Sequence, residues 1–317
     1  MRITVQGVGV VGGFGCGVQD LARALAGEAG AAPRADCAPL DRYVPRRNQR
    51  RLDSFSRMTA LAAHQALDDA GALADDHGRL GVVVASGYGA TGTTLALIDS
   101  IIEGGDVCTS PIHFAGSLHN TPASNLSILL GAKGPSLTVS QFQLSVPSAL
   151  MAARLWLEQG RVDRVLFGAV DELSDLIGYL KAREGELEQS LGGPGPCGEG
   201  AAFCLLSSRD EAQPPYCTLD QASTGRGPAA GLGSAGLVLL SGDDPSGPEG
   251  ALRLSSVYGA MPAAPAFDLA AAAILLRQGE ACPPAFRDAR GAAPEAIACL
   301  TRTGDDGFGL VRLGRIS

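Results

Sequence analysis

The chain has 317 residues, 45% of them apolar and 18% charged, with a formal net charge of −8. That acidic balance argues against nucleic-acid binding, and the apolar content suffices for a large buried core in a single α/β unit. No apolar run reaches membrane-spanning length, and no basic-then-apolar leader opens the sequence. The eight cysteines include no Cys-x-x-Cys pair, so a soluble cytoplasmic protein with scattered thiols and no metal or redox cluster is expected.

A first strand is predicted near 2–9, running into Gly7-x-Gly9-x-x-Gly12. This spacing fits a dinucleotide fingerprint, but residues 28–36 are Ala/Gly/Pro-rich and offer no second strand ending in an acidic residue. The glycines are expected to serve a tight turn and close packing instead. Residues 24–49 read as surface loop. A basic run, Arg46, Arg47, Arg50, Arg51 and Arg57, then leads into a helix near 54–70 that Gly71 closes. A valine-rich strand near 80–86 precedes helices near 91–103 and 117–130 and a strand near 136–140.

Beyond a tight turn, Val146, Ala149, Leu150, Ala153 and Leu157 recur at helical spacing over Val146 to Gln159. Ser145 is placed as its N-cap, Pro147 in its first turn and Gly160 as its stop. Strands near 163–168 and 200–206, with a loop over 187–198 between them, complete a first half ending near 213. Segments near 215–222, 236–240, 253–258, 267–278 and 296–312 suggest a second, degenerate half over 214–317. Alternation of this kind favours layered mixed sheets with helices between and outside. The four histidines, His64, His77, His113 and His119, show no metal-ligand spacing. His64 inside the 54–70 helix reads as structural. No Gly-x-Ser-x-Gly elbow supports a serine hydrolase.

A sharp strand-to-helix turn is where α/β enzymes hold a nucleophile. Gly134-Pro135-Ser136-Leu137-Thr138-Val139-Ser140-Gln141-Phe142-Gln143 resembles the nucleophile turn of β-ketoacyl synthases, with Gln143 where they carry cysteine. Ile3 to Gly12, Arg50 to Met58, Ser110-Pro111-Ile112-His113-Phe114, Arg164 to Glu172 and Gly198-Glu199-Gly200-Ala201-Ala202 are similar to family segments, in the family's order and spacing. In the second half the match is patchier. Ser241 after Gly236 to Leu240 stands where the first catalytic histidine is expected, and Ala260 in Gly259-Ala260-Met261 where the second is. Ser255 stands in place of the family's lysine. Gly307-Phe308-Gly309 keeps a trace of its glycine-rich closing loop.

The resemblance implies a thiolase-like layered αβαβα fold of two pseudo-dyad-related halves, the second shortened. A carboxamide forms no thioester, so it also implies a silent subunit, the chain length factor of type II polyketide systems. Such a subunit would pair with an active β-ketoacyl synthase through the strand Pro135 to Ser140 and wall part of an acyl tunnel. Aromatic polyketides and polyenes are both products of such pairs. Tyr88, His113, Phe114 and Gln143 fall at tunnel or interface positions, where the alternative is ordinary interface packing. No resident cofactor is implied, since phosphopantetheine would arrive on an acyl carrier protein. Arg46, Arg47, Arg50 and Arg51 would either dock that acidic carrier or be solvated helix entry. Two further readings stand beside this one: a malonyl-carrier-protein decarboxylase making an acetyl primer, and a non-enzymatic acyl-binding scaffold.

Overall fold

The computed structural model describes residues 1–28, 32–105, 109–188, 196–209, 211–232, 235–281, 283, 285 and 293–316. Cys108, Cys282 and most of the 187–198 loop lie outside the described residues. In chain order the first half comprises β1 (Thr4–Gly12), β2 (Gly15–Cys16), α1 (Val18–Leu25), α2 (Arg46–Gln49), α3 (Ser54–Asp69), β3 (Leu80–Ala85), α4 (Thr91–Gly104), α5 (Pro111–Gly116), α6 (Thr121–Leu130), β4 (Ser136–Val139), α7 (Ser145–Glu158), β5 (Arg164–Asp171), α8 (Asp175–Glu188) and β6 (Gly200–Ser207). The second half comprises β7 (Cys217–Arg226), β8 (Leu237–Gly242), α9 (Ser255–Tyr258), α10 (Ala264–Gln278), β9 (Ala296–Arg302) and β10 (Gly307–Gly314).

The strands follow one pairing rule twice. From β1 outward the order is β1-β6-β5-β3-β4, with two antiparallel and then two parallel pairs. From β7 outward it is β7-β10-β9-β8, antiparallel, antiparallel, parallel. A lone parallel bridge, Leu239 to Leu252, stands where a fifth strand would pair with β8. The halves join where β1 and β7 pair over Thr4↔Thr218 and Val5↔Cys217.

Two helices lie between the half-sheets. α7 packs on β3, β4 and β5 of the first and on β7 and β10 of the second. α10 packs on β8 and β9 and also reaches β1 and β6. A helix enclosed on all sides is apolar all round. Accordingly, α10 is buried from Ala264 to Leu276, and Asp268 is the one charged residue in that stretch. α3 covers the outer face of the first half-sheet. No described helix covers the outer face of the second.

Two boundaries differ from the sequence reading. Ser145 is the first residue of α7 rather than its cap; its hydroxyl instead accepts from Gln141 N–H at 2.7 Å, closing the turn backwards. The 296–312 segment is two strands, because Asp306 takes a φ of 65° and reverses the chain. Within 24–49, a 3₁₀ turn over Ala38–Arg42 and the short α2 interrupt the loop. His64 hydrogen-bonds Ala60 O within α3.

The glycines of β1 let α3 touch the strand. A Cβ on Gly7 would stand 2.1 Å from Ala66 O, and one on Gly9 2.0 Å from Ala62 O. Overlap with helix backbone forces the layers apart. Gly9→Ala should lower unfolding stability by about 2–3 kcal/mol in urea titration, and an unchanged midpoint would contradict this packing.

Candidate functional site

β4 ends at Val139, a 3₁₀ turn over Phe142–Leu144 carries Gln143, and α7 starts behind it. The turn is closed on its far side by the start of β10. A Cβ on Gly309 would stand 2.3 Å from Pro147 Cγ, so only glycine lets this strand lie so close to α7. That explains the glycine at 309; at Gly307 a Cβ would instead overlap the Thr303 hydroxyl of its own turn.

Gln143, Ser241, Ser255, Ala260 and Tyr88 line one cavity of about 50 Å³. Residues far apart in sequence therefore meet at one place in the fold. Lys181, Arg253, Tyr258, Met261 and Asp268 complete much of its wall, and neither cysteine nor histidine lines it among the described residues. The volume suits a water molecule or two rather than an acyl chain.

Each polar residue is held by the fold. Ser241 is the penultimate residue of β8, with its hydroxyl 3.4 Å from that of Thr301. Ala260 N–H donates to Pro196 O at 2.7 Å, and Gly259, at a φ of 87°, lies so close to Gly198 that a Cβ would overlap it. Asp268, on α10, receives the Tyr258 hydroxyl at Oδ1, while Oδ2 is buried with no partner among the described residues. Gln143 Oε1 is likewise buried and unpartnered. Burial pushes Asp268 up to about 6, against the hydrogen bonds from Tyr258 and Ser241 that favour its charged form.

A second buried carboxylate binds the cavity together. Asp171 Oδ1 accepts from the Ser86 hydroxyl at 2.8 Å, Gly87 N–H at 3.0 Å and Tyr88 N–H at 2.8 Å. Its Oδ2 accepts from Ala263 N–H, just ahead of α10, at 2.8 Å. Burial raises it to about 6 despite these donors. Glu172 next to it is pushed up to about 7, first by burial and then by neighbouring carboxylates, opposed by Gly92 N–H at 2.6 Å.

His113 and Phe114 do not line the cavity. They sit on α5, where Phe114 is 58% exposed and His113 Nδ1 is buried without a partner among the described residues. The arginines divide. Arg46 pairs with Asp41 at 2.7 Å, and Arg47, Arg50 and Arg51 are exposed. Arg57 donates to Gln49 Oε1 and is half-buried, so it leaves the basic surface run. Sequence reading missed Tyr258 and Asp268 and gave Asp171 no role. A single acid in an otherwise apolar helix was the available signal for Asp268, because such an acid needs a buried reason.

Beside the cavity, β4 forms the edge of the sheet. Pro135 O and Val139 O accept from Val82 and Ser86 of the β3 side, so the intervening Ser136 and Thr138 turn their backbone groups outward. Exposed Ile128 of α6 and Met151 and Leu155 of α7, the helices packed on β4, flank this edge. α4 has no buried residue at all, and α5 adds exposed Ile112 and Phe114.

The family model for the beta-ketoacyl synthase N-terminal domain matches residues 17–212. The chain belongs to the beta-ketoacyl synthase family. A relative, the chloroplastic 3-oxoacyl-[acyl-carrier-protein] synthase I of Hordeum vulgare, is 28% identical over 193 residues, which are 54% of this chain and 42% of that protein. The chain thus spans less than half the length of that curated relative. Among solved structures, the ishigamide ketosynthase/chain length factor superposes with a TM-score of 0.76 at 19% identity, covering 100% of both chains. AntDE:AntF, a type II PKS acyl-carrier protein in complex with its ketosynthase bound to the hexaketide, gives 0.78 at 16% identity and covers 99% of each chain. These similarities establish a thiolase-like ketosynthase fold along the whole chain, including the second half beyond residue 212. Among the described residues, no helix is long and apolar enough to cross a membrane.

The pH dependence of this family member follows from its buried acids. A folded pKa raised to about 6 means that Asp268 contributes stability below about pH 4 that is lost as pH rises through 6. Asp268→Asn removes that loss. Between pH 4 and pH 8 the variant should gain about 3 kcal/mol relative to the parent chain in urea titrations; a pH-independent difference would contradict the buried, raised acid.

Proposed function

We propose that the chain is a chain-length-factor-like subunit without chemistry of its own, which pairs with an active β-ketoacyl synthase and walls part of its acyl tunnel. The observation that carries this reading is Gln143 in the turn beside a cavity that, among the described residues, neither cysteine nor histidine lines. Acyl transfer through a carboxamide is chemically closed. With Ser241, Ala260 and Ser255 at the remaining positions, the cavity also lacks the imidazoles that would steady an enolate oxygen. A cavity of about 50 Å³ leaves no room for an extender unit.

The partner side rests on the outward backbone of Ser136 and Thr138 and on the apolar residues around it. An open edge strand invites pairing with another chain unless something blunts it. Here no proline, lysine or arginine lies in β4, and the flanking helices expose Ile128, Met151 and Leu155 beside it, with Arg154 and Glu158 of α7 paired to each other. A face of that composition resembles an obligate interface. In this reading Phe114 and His113 project toward the partner's tunnel, Tyr88 faces the acyl path, and exposed Arg47, Arg50 and Arg51, with Arg46 beside them, meet an acidic acyl carrier protein. The relatives and solved neighbours, which include a ketosynthase/chain length factor and a carrier-protein complex, support the kind of partner.

Coexpression with an active β-ketoacyl synthase tests the assignment. The two should copurify one-to-one. Thr138→Pro, which removes an outward N–H while sparing the bonds to β3, should lower recovery of the pair about ten-fold or more. Free monomers of both chains at high concentration, or a Thr138→Pro pair recovered in full, would contradict the β4 interface.

A further inference from the structure

Phe142, the residue before Gln143, has a φ of 50°, a left-handed conformation that a bulky side chain seldom adopts. The turn is fixed around it. Gln141 N–H donates to Ser145 Oγ at 2.7 Å, the Ser145 hydroxyl lies 2.7 Å from Phe142 O and 3.0 Å from Ser86 O, and Leu144 N–H donates to Gln141 O at 3.1 Å. With its backbone held, Phe142 meets Tyr88 edge-on, ring centroids 5.8 Å apart and planes at 74°. Tyr88 in turn has its N–H anchored on Asp171.

The two rings occupy different positions relative to the cavity. Tyr88 lines it beside Gln143, whereas Phe142 does not line it and is 56% exposed. Phe142 therefore backs Tyr88 from the outside. Edge-to-face contact fixes ring orientation more firmly than simple burial does. The geometry points to Phe142 as a positioning residue that holds Tyr88 across the cavity, so that two rings together shut this subunit's own space to an acyl chain. The class of molecule excluded, a medium-length acyl group, rests on the tunnel reading above. Under that reading the stop directs the chain into the partner's half of the tunnel.

The test uses the coexpressed pair and a decanoyl-pantetheine carrying a photoreactive diazirine, with crosslinks mapped by peptide mass to the cavity segment 241–268. The parent chain and Phe142→Tyr, which keeps the ring contact, should show background labelling there. Phe142→Ala and Tyr88→Ala should each raise labelling about ten-fold. The double variant should label no more than Tyr88→Ala, because Phe142 acts through Tyr88. Phe142→Gly, which accepts the same φ, replaces the alanine variant if that fails to fold.

Background labelling in all variants of an intact pair would overturn the two-ring stop and leave the partner assignment standing. Additive labelling in the double variant would overturn Phe142's action through Tyr88. If no pair forms, the partner assignment fails, and the same labelling pattern on the isolated chain still decides the stop.

Discussion

The buried carboxylate of Asp171 is the joint on which the site depends. It gathers the turn at Ser86 to Tyr88 with one oxygen and the segment ahead of α10 with the other. Those two segments come from different halves of the chain, pack against each other at Gly87 and Pro262, and both contribute to the lining of the cavity. An acid taken fully out of water is tolerated only because four donors converge on it. Without it the Tyr88 backbone would lose its anchor, and α10 would lose its register against the first half. Gln143, Ser241 and Asp268 line the cavity beside this joint.

Much of the fold was legible because its signals are local. Alternating strands and amphipathic helices, Gly71 and Gly160 as helix stops, and the tight approach at Gly7 and Gly9 all act over a few residues. The turn at Gln143 was legible for the same reason, since strand, turn and helix follow without interruption. Ser241, Ser255 and Ala260 were singled out by the family resemblance, and the fold brings them into one cavity.

What stayed hidden depends on residues distant in sequence. Nothing near Asp171 announces that Ala263 will be its partner, and nothing near Tyr258 shows that Asp268 will lie one turn along a buried helix beside it. Phe142 was given no role, because the positive φ of this residue is a property of the folded turn. Arg57 read as surface charge until Gln49 folded back on it. The exposure of α4 was also invisible, because an apolar helix looks the same in sequence whether its own chain covers it or another does. Among the described residues no helix covers the outer face of the second half, where 227–232 and 243–251 form neither helix nor strand.

These features fit together physically. A cavity kept small by aromatic rings has little use for a nucleophile, and an open sheet edge flanked by apolar helices is stable only when covered. In the proposed reading, the chain keeps the parts of the ketosynthase fold that shape space and bind a neighbour, with Gln143, Ser241, Ser255 and Ala260 in place of those that react. The most direct measurement of that claim is intact mass of both subunits after the coexpressed pair is incubated with acyl-loaded and malonyl-loaded carrier protein. The acyl adduct should appear on the active ketosynthase alone; a covalent acyl adduct on this chain would contradict the account.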